Sequence, residues 1–299
     1  MSFKSVFIGP KGLRAGWRFA AFTVLAIGIA QGFQVFTLQV LGYRPHRGLH
    51  PLDFLVADGL GFIAALIAAA ILVRAARGER MRDYGLPLAG NSGGRWGEGF
   101  IWGLLAVGIL VAAIALFGGY TLSGLSRTGG ALAAALALWA ATMVVLGFYE
   151  EYLFRGYPLK ALASGMGFWP AAVLLSVMFG ALHYFTKPME TIADALSVSL
   201  IGLFLCLSFR RTGSLWFAAG FHTAFDFAAL PLFGAPNTAN NGEPVPLRLL
   251  EGSFHGPAWL TGGPCGIEAS LLIFPVIGLL FLLFDRRFRA VRWPAGETK

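Results

Sequence analysis

Charge is scarce in this chain: Asp, Glu, Lys and Arg make up 13% of 299 residues, against 57% hydrophobic residues. No water-soluble core needs that much apolar length, so a soluble globule is excluded and the composition is that of an integral membrane protein. Cysteine is nearly absent. Cys206 and Cys265 lie in or beside apolar segments, which excludes a disulfide framework and a multi-cysteine metal site and leaves both as small apolar residues. Acidic groups number 15 against 23 Lys and Arg. The basic excess is scattered between apolar runs and forms no single polar face, which argues for membrane topology and against nucleic acid as a partner. A His-Glu-x-x-His helix is missing, and so is any convincing repeat or heptad.

What is present is a succession of apolar runs. They predict about eight spans: one reaching to about Gly42, one from Pro51 to near Val73, then Gly99 to Phe117, Leu132 to about Gly156, Pro170 to Phe185, Ile192 to Phe209, Leu215 to Phe233, and Ile267 to Phe284. The first is too long for a signal-peptide core. With the N-terminus in the cytoplasm, all Lys and Arg except Arg44, Arg47, Arg127, Lys187 and Arg248 fall on the cytoplasmic side. This asymmetry predicts an all-α polytopic membrane bundle with both termini cytoplasmic. We read residues 1–299 as one membrane domain, with a core at 132–233 and flanking helices and loops at 1–131 and 234–299.

Several local expectations follow. Gln31, Gln34 and Gln39 are assigned to interhelical hydrogen bonds, and Gly99 with Gly103 to close helix packing. Residues 118–130, rich in Gly, Ser and Thr, read as a loop. Pro158 lacks an amide proton and clashes with the carbonyl of Phe154, so the fourth helix should kink or stop near Gly156. Pro170 suits the first turn of a fifth helix.

Ionisable groups inside such runs are costly and mark chemistry, transport or paired contacts. Glu150 and Glu151 are adjacent, so on a helix they point about 100° apart and should not face the same partner. Arg155, four residues beyond Glu151, suits a structural ion pair with it. Glu150 is then free to act as a general base on water. Phe179 and His183 share one helix face, the ring either walling a site or packing in the core, and His222 and Asp226 share another. The depth of Glu150 along its span predicts a cavity opening toward the cytoplasm.

Glu150-Glu151-x-x-x-Arg155, Phe179-x-x-x-His183 and His222-x-x-x-Asp226, in that order on successive apolar segments, resemble the three motifs of the CPBP family of intramembrane proteases. That family, also called ABI, includes type II CAAX prenyl endopeptidases and bacteriocin-processing or immunity proteins. The resemblance covers about a third of the chain and implies peptide-bond hydrolysis within the membrane. Residue by residue, it implies that Glu150 activates water with help from His183, while His222 and Asp226 stabilise the oxyanion or position the carbonyl. The family position matching Asp226 is often asparagine. An ionised aspartate would repel an oxyanion, so Asp226 must be protonated, orient His222 or bind metal. Glu150, His183 and His222 could hold zinc with an open water position, and a metal-free glutamate mechanism is equally compatible.

The implied substrate is a membrane-associated or lipid-modified peptide. A prokaryotic plasma membrane suits the short loops, with maturation of secreted peptides as the task; oligomeric state is left open. Two other classes compete. A proton-coupled transporter would use intramembrane Glu, His and Asp as a relay, with Asp58, Asp194 and Glu268 taking part. A non-catalytic adaptor or immunity protein would keep the Glu151 to Arg155 pair and not need Glu150.

Overall fold

A computed structural model describes residues 4–9, 12–76, 78–88, 90–125, 129–246 and 248–293. Of the basic residues that orient the chain, Lys11, Arg77, Arg127 and Lys299 lie outside the described residues.

In hydrocarbon each backbone amide must be satisfied within its own segment, and the chain answers with helices. These are α1 (Ala15–Val35), α2 (Pro51–Ala75), α3 (Ser92–Leu116), α4 (Gly130–Glu151), α5 (Tyr157–Met166), α6 (Phe168–Thr186), α7 (Ile192–Thr212), α8 (Trp216–Phe227) and α9 (Ile273–Arg287). Among the described residues, six helices are long and apolar enough to cross a membrane: α1, α2, α3, the continuous α4 to α5 unit of 37 residues, α6 and α7. This is an integral membrane protein, mostly helical. One apolar cluster extends from Phe22 on α1 to Phe288 beyond α9.

Local chemistry sets the boundaries. Pro51 starts α2 beside a His50 cap that accepts from the Leu52 amide, and Thr191 caps α7 through the Asp194 amide. The break near Pro158 takes the form of a π-helical stretch, Tyr152–Gly156, after which Pro158 sits in the first turn of α5. The wider turn ends α4 without unravelling it and lets the chain continue to Met166. Another π turn, Ala228–Leu232, extends α8.

In its elements and helix packing the fold departs from the sequence reading in three places. Residues Ile267–Ala269 form a 3-10 turn, and α9 begins only at Ile273. Gly262, Gly263 and Gly266 adopt positive φ, which interrupts helix just before that point. The supposed loop after α3 contains a strand, β1 (Tyr120–Leu125), paired antiparallel with β2 (Leu250–Phe254). Its partner is more than a hundred residues away, and that separation hides a ladder from local pattern. Gln31 and Gln34 are exposed on α1 and Gln39 on the π turn Phe36–Val40 that follows it, and no described residue accepts or donates a hydrogen bond to their side chains. Only a small share of α1 is buried, so its outer face has no helix to bond to.

The glycines on α3 do the packing assigned to them. A Cβ on Gly99 would lie 2.0 Å from the Phe217 carbonyl oxygen, and one on Gly220 would lie 2.0 Å from that of Trp96. Backbone therefore meets backbone, and α8 is held against α3 at a fixed height.

Contacts gather the loops at two ends. At one, Arg18 donates to the Glu79 carboxylate and to the Tyr84 hydroxyl, both at 2.7 Å, Leu215 N–H donates to Gly85 O, and the amides of Arg292 and Trp293 donate to Arg210 O. Most of the basic residues lie here. At the other, Thr238 donates to Glu190 at 2.8 Å, Ser197 donates to the Glu268 carbonyl at 2.5 Å, and β1 pairs with β2.

Candidate active site

Helix α4 presents Glu150 and Glu151, and α8 presents His222 and Asp226. What lets them meet is Gly147, where a Cβ would be 2.8 Å from Thr223 Oγ1 and 2.9 Å from the Ala219 carbonyl oxygen. Without a side chain there, α4 lies directly on α8 one turn before the glutamates.

His222 sits between both of them. Its Nδ1 is 2.9 Å from Glu151 Oε1, while Nε2 is 3.6 Å from Glu150 Oε2 and 3.4 Å from Asp226 Oδ2. The expectation that the adjacent glutamates could not share a partner is thus corrected. An imidazole has nitrogens on two sides, and a ring standing alongside α4 offers one to each carboxylate.

Glu151 Oε1 also accepts from Arg155 Nη1 at 3.1 Å, with both side chains buried. The guanidinium lies 4.5 Å from the centre of the Phe179 ring and occupies space left by Gly202 on α7, where a Cβ would fall 2.4 Å from Arg155 Nη2. Phe179 packs between the Arg155 guanidinium and His183, its ring centre 4.6 Å from that of His183 and 6.4 Å from that of His222. His183 Nδ1 lies 3.0 Å from the Phe179 carbonyl oxygen. A proton on Nδ1 completes that bond and leaves Nε2 with its lone pair as an acceptor.

Glu150, Phe179, His183, His222 and Asp226 line one cavity of about 210 Å³. Its walls are mainly apolar, with Trp139, Met143 and Phe225 among them. Glu151 and Arg155 stand behind the wall. Three further ionisable groups reach the same space: Asp58 from α2, Lys187 just past α6, and Glu268.

The role of Lys187 was missed because a cation after a span reads as a loop charge. Its spacing carried the signal, since Phe179, His183 and Lys187 are successive fourth residues on one helical face. Burial opposes the ammonium, but Glu268, Glu150, Glu190 and Asp194 outweigh it and hold Lys187 above its ordinary value. Burial pushes the Glu268 carboxyl up, and Asp226 adds to this.

Three loop or turn segments add Leu49, Asn237, Ala239 and Glu268 to the cavity's lining. All of them, with Lys187, belong to the end opposite the basic loops. The cavity therefore does not lie toward the basic end as expected. The α4 to α5 unit runs 15 residues beyond Glu151 before it stops at Met166, so Glu150 is well up the bundle, and His183 is near the far end of α6.

The donor geometry also bears on metal. Among the described residues, the set of three or more His, Cys, Asp or Glu ligand atoms all within 4.8 Å of one another is His46, His50 and Asp53. Glu150, His183 and His222 do not form such a set, and both nitrogens of His222 already face carboxylates. As placed, these side chains do not fit zinc. The His46 group is occupied by its own bonds. His46 Nδ1 and its amide bond Asp53, and His50 Nδ1 takes the Leu52 amide, which together fasten the turn ahead of α2.

Residues 132–228 match the Rce1-like family model, that of type II CAAX prenyl endopeptidase Rce1-like proteins. This is the family that the three motifs resemble. The Rce1-like stretch contains Glu150, Glu151, Arg155, Phe179, His183, Lys187, His222 and Asp226, whereas Asp58 and Glu268 reach the cavity from outside it. The Rce1-like match implies a protease. No curated protein and no solved structure matches the chain.

Proposed function

We propose that this chain is an intramembrane endopeptidase that hydrolyses a peptide bond of a membrane-associated or lipid-modified substrate. The observation that carries this reading is the convergence of Glu150, His183 and His222 on one mainly apolar cavity, within the segment that is Rce1-like. Glu150 takes a proton from water, and His183 Nε2 accepts a hydrogen bond from that same water and orients it. The hydroxide adds to the scissile carbonyl carbon. His222 Nε2 is 3.4 Å and 3.6 Å from its carboxylate neighbours, loose enough to turn its N–H to the developing oxyanion, and Glu151 holds the ring from behind. Collapse breaks the C–N bond as Glu150 returns its proton to the leaving nitrogen. Asp226 is a positioning group for His222, which removes the repulsion that an aspartate on the oxyanion would bring. No step is routed through a metal.

We read the chain as crossing a prokaryotic plasma membrane eight times, with both termini cytoplasmic. The six long helices and the charge asymmetry support this. In it α8 and α9 are the shorter crossings.

The test compares newly generated peptide termini in membranes carrying the wild type and Glu150→Ala, once both are shown to insert and fold equally. Termini that vanish with the variant support hydrolysis. Identical termini turn the assignment toward a transporter, a reading that gains something from Asp58 and Glu268 sharing the cavity. Asp58→Asn and Glu268→Gln separate the two, since a relay fails with either and hydrolysis survives both.

A further inference from the structure

Two observations made separately point in one direction. The first is charge: of the 23 Lys and Arg, only Arg44, Arg47, Arg127, Lys187 and Arg248 lie beyond the ends of the spans on one side, and Lys187 is turned into the cavity among carboxylates. Arg155, counted with the opposite side by position, is buried against Glu151 and plays no part in topology. Arg14, Arg74, Arg80, Arg82, Arg210 and Arg286 remain on that opposite side among others, which marks it as cytoplasmic. The second is the cavity's lining. Leu49, Lys187, Asn237, Ala239 and Glu268 all come from segments at the sparsely basic end, and among the described residues none at 76–91, 210–215 or 285–293 lines it.

We infer that the cavity opens on the face of the membrane away from the cytoplasm, and that its substrate is a membrane-anchored polypeptide presented from that face. The word substrate rests on the endopeptidase reading; the direction of opening does not. A tail lipidated in the cytosol arrives at the other face. There the bundle presents the Arg18, Glu79 and Tyr84 network, with the Tyr84 and Tyr157 rings stacked at 4.8 Å, and no mouth of this cavity. The fitting substrate class is the juxtamembrane stretch of an exported or secreted chain, extended enough to pass the polar rim of Lys187, Asn237 and Glu268 and apolar enough for the walls beneath.

The experiment reads direction and hydrolysis independently. Cys206 and Cys265 are buried, so the wild type serves as the blank for a membrane-impermeant maleimide applied to intact cells. Ala239→Cys places a thiol on an exposed residue at the mouth, and Arg82→Cys places one on an exposed residue at the basic end. Expected are labelling of Ala239→Cys in intact cells and of Arg82→Cys only after permeabilisation. The reverse pattern overturns the inference. In the same cells, termini that depend on Glu150 should map to extracytoplasmic segments; termini confined to cytosolic segments overturn it. If labelling follows the expected pattern but no terminus depends on Glu150, the endopeptidase reading fails while the direction of the cavity stands.

Discussion

Glu151 Oε1 lies 2.9 Å from His222 Nδ1 while also accepting from Arg155 at 3.1 Å. One buried oxygen thus links the ion pair on α4 and its π turn to the histidine on α8. The pair neutralises charge and also fixes the ring whose other nitrogen faces the cavity, so Glu151 is a positioning residue for His222.

Arg155→Ala leaves Glu151 buried without its cation, a change that costs roughly 3–5 kcal/mol. The double variant Glu151→Leu with Arg155→Met removes both charges and should recover much of that stability in a detergent melt. It should not recover turnover, because His222 has lost the carboxylate that orients it. Recovery of both would reduce Glu151 to a packing role.

Glu150→Gln keeps volume and removes the base. Turnover should fall by about 10²–10⁴-fold, with thermal stability within about 0.5–1 kcal/mol of wild type. Retained turnover in a folded protein removes Glu150 from the mechanism.

Gly147→Ala drives a methyl to 2.8 Å from Thr223 Oγ1 and 2.9 Å from a backbone carbonyl oxygen. Overpacking of this kind costs about 1–3 kcal/mol, and separating α4 from α8 should lower turnover as well. Gly108→Ala on α3 is the control, since a Cβ there meets nothing within 4 Å; it should change stability by less than about 0.5 kcal/mol.

Glu268 carries a pH signature. Burial, with Asp226 nearby, raises its carboxyl in the folded protein from the ordinary 4.5 to about 7. Between those values the folded state binds more protons than the unfolded state, so stability contributed by the neutral group is full below 4.5 and is lost as pH rises toward 7. Melts of Glu268→Gln should lack that decline. Parallel curves for the two proteins would mean that folding leaves the Glu268 carboxyl at its ordinary value.

Turnover should persist in a chelator. The side chains offered for zinc share a cavity but do not bring their ligand atoms all within 4.8 Å of one another, and His222 has a carboxylate at each nitrogen. Loss of activity on chelation, restored by zinc in a protein that stays folded, would require the histidines to rearrange around an ion.

The membrane character, the six long helices, the packing glycines Gly99 and Gly103, and the set from Glu150 to Asp226 were all legible in residue order. Hydropathy and fourth-residue spacing are local properties, and a helix carries them directly into space. The start of α9 was not, because three glycines at positive φ convert an apolar run into turns. Nor was the β1 to β2 ladder, whose partners lie on either side of the core in the sequence.

By itself the sequence determined that this chain lives in a membrane, that Glu150, Glu151, His183, His222 and Asp226 stand at helical spacings within its apolar segments, and that its positive charge collects on one side. Tertiary structure alone decided that both glutamates reach His222, that Lys187, Asp58 and Glu268 share their cavity, and that the cavity lies toward the end with little positive charge. Those facts depend on how closely helices approach and how far each extends past its neighbours. Gly147 against α8 sets the first, and the unbroken passage from α4 through its π turn to Met166 sets the second; neither distance is written in any one segment.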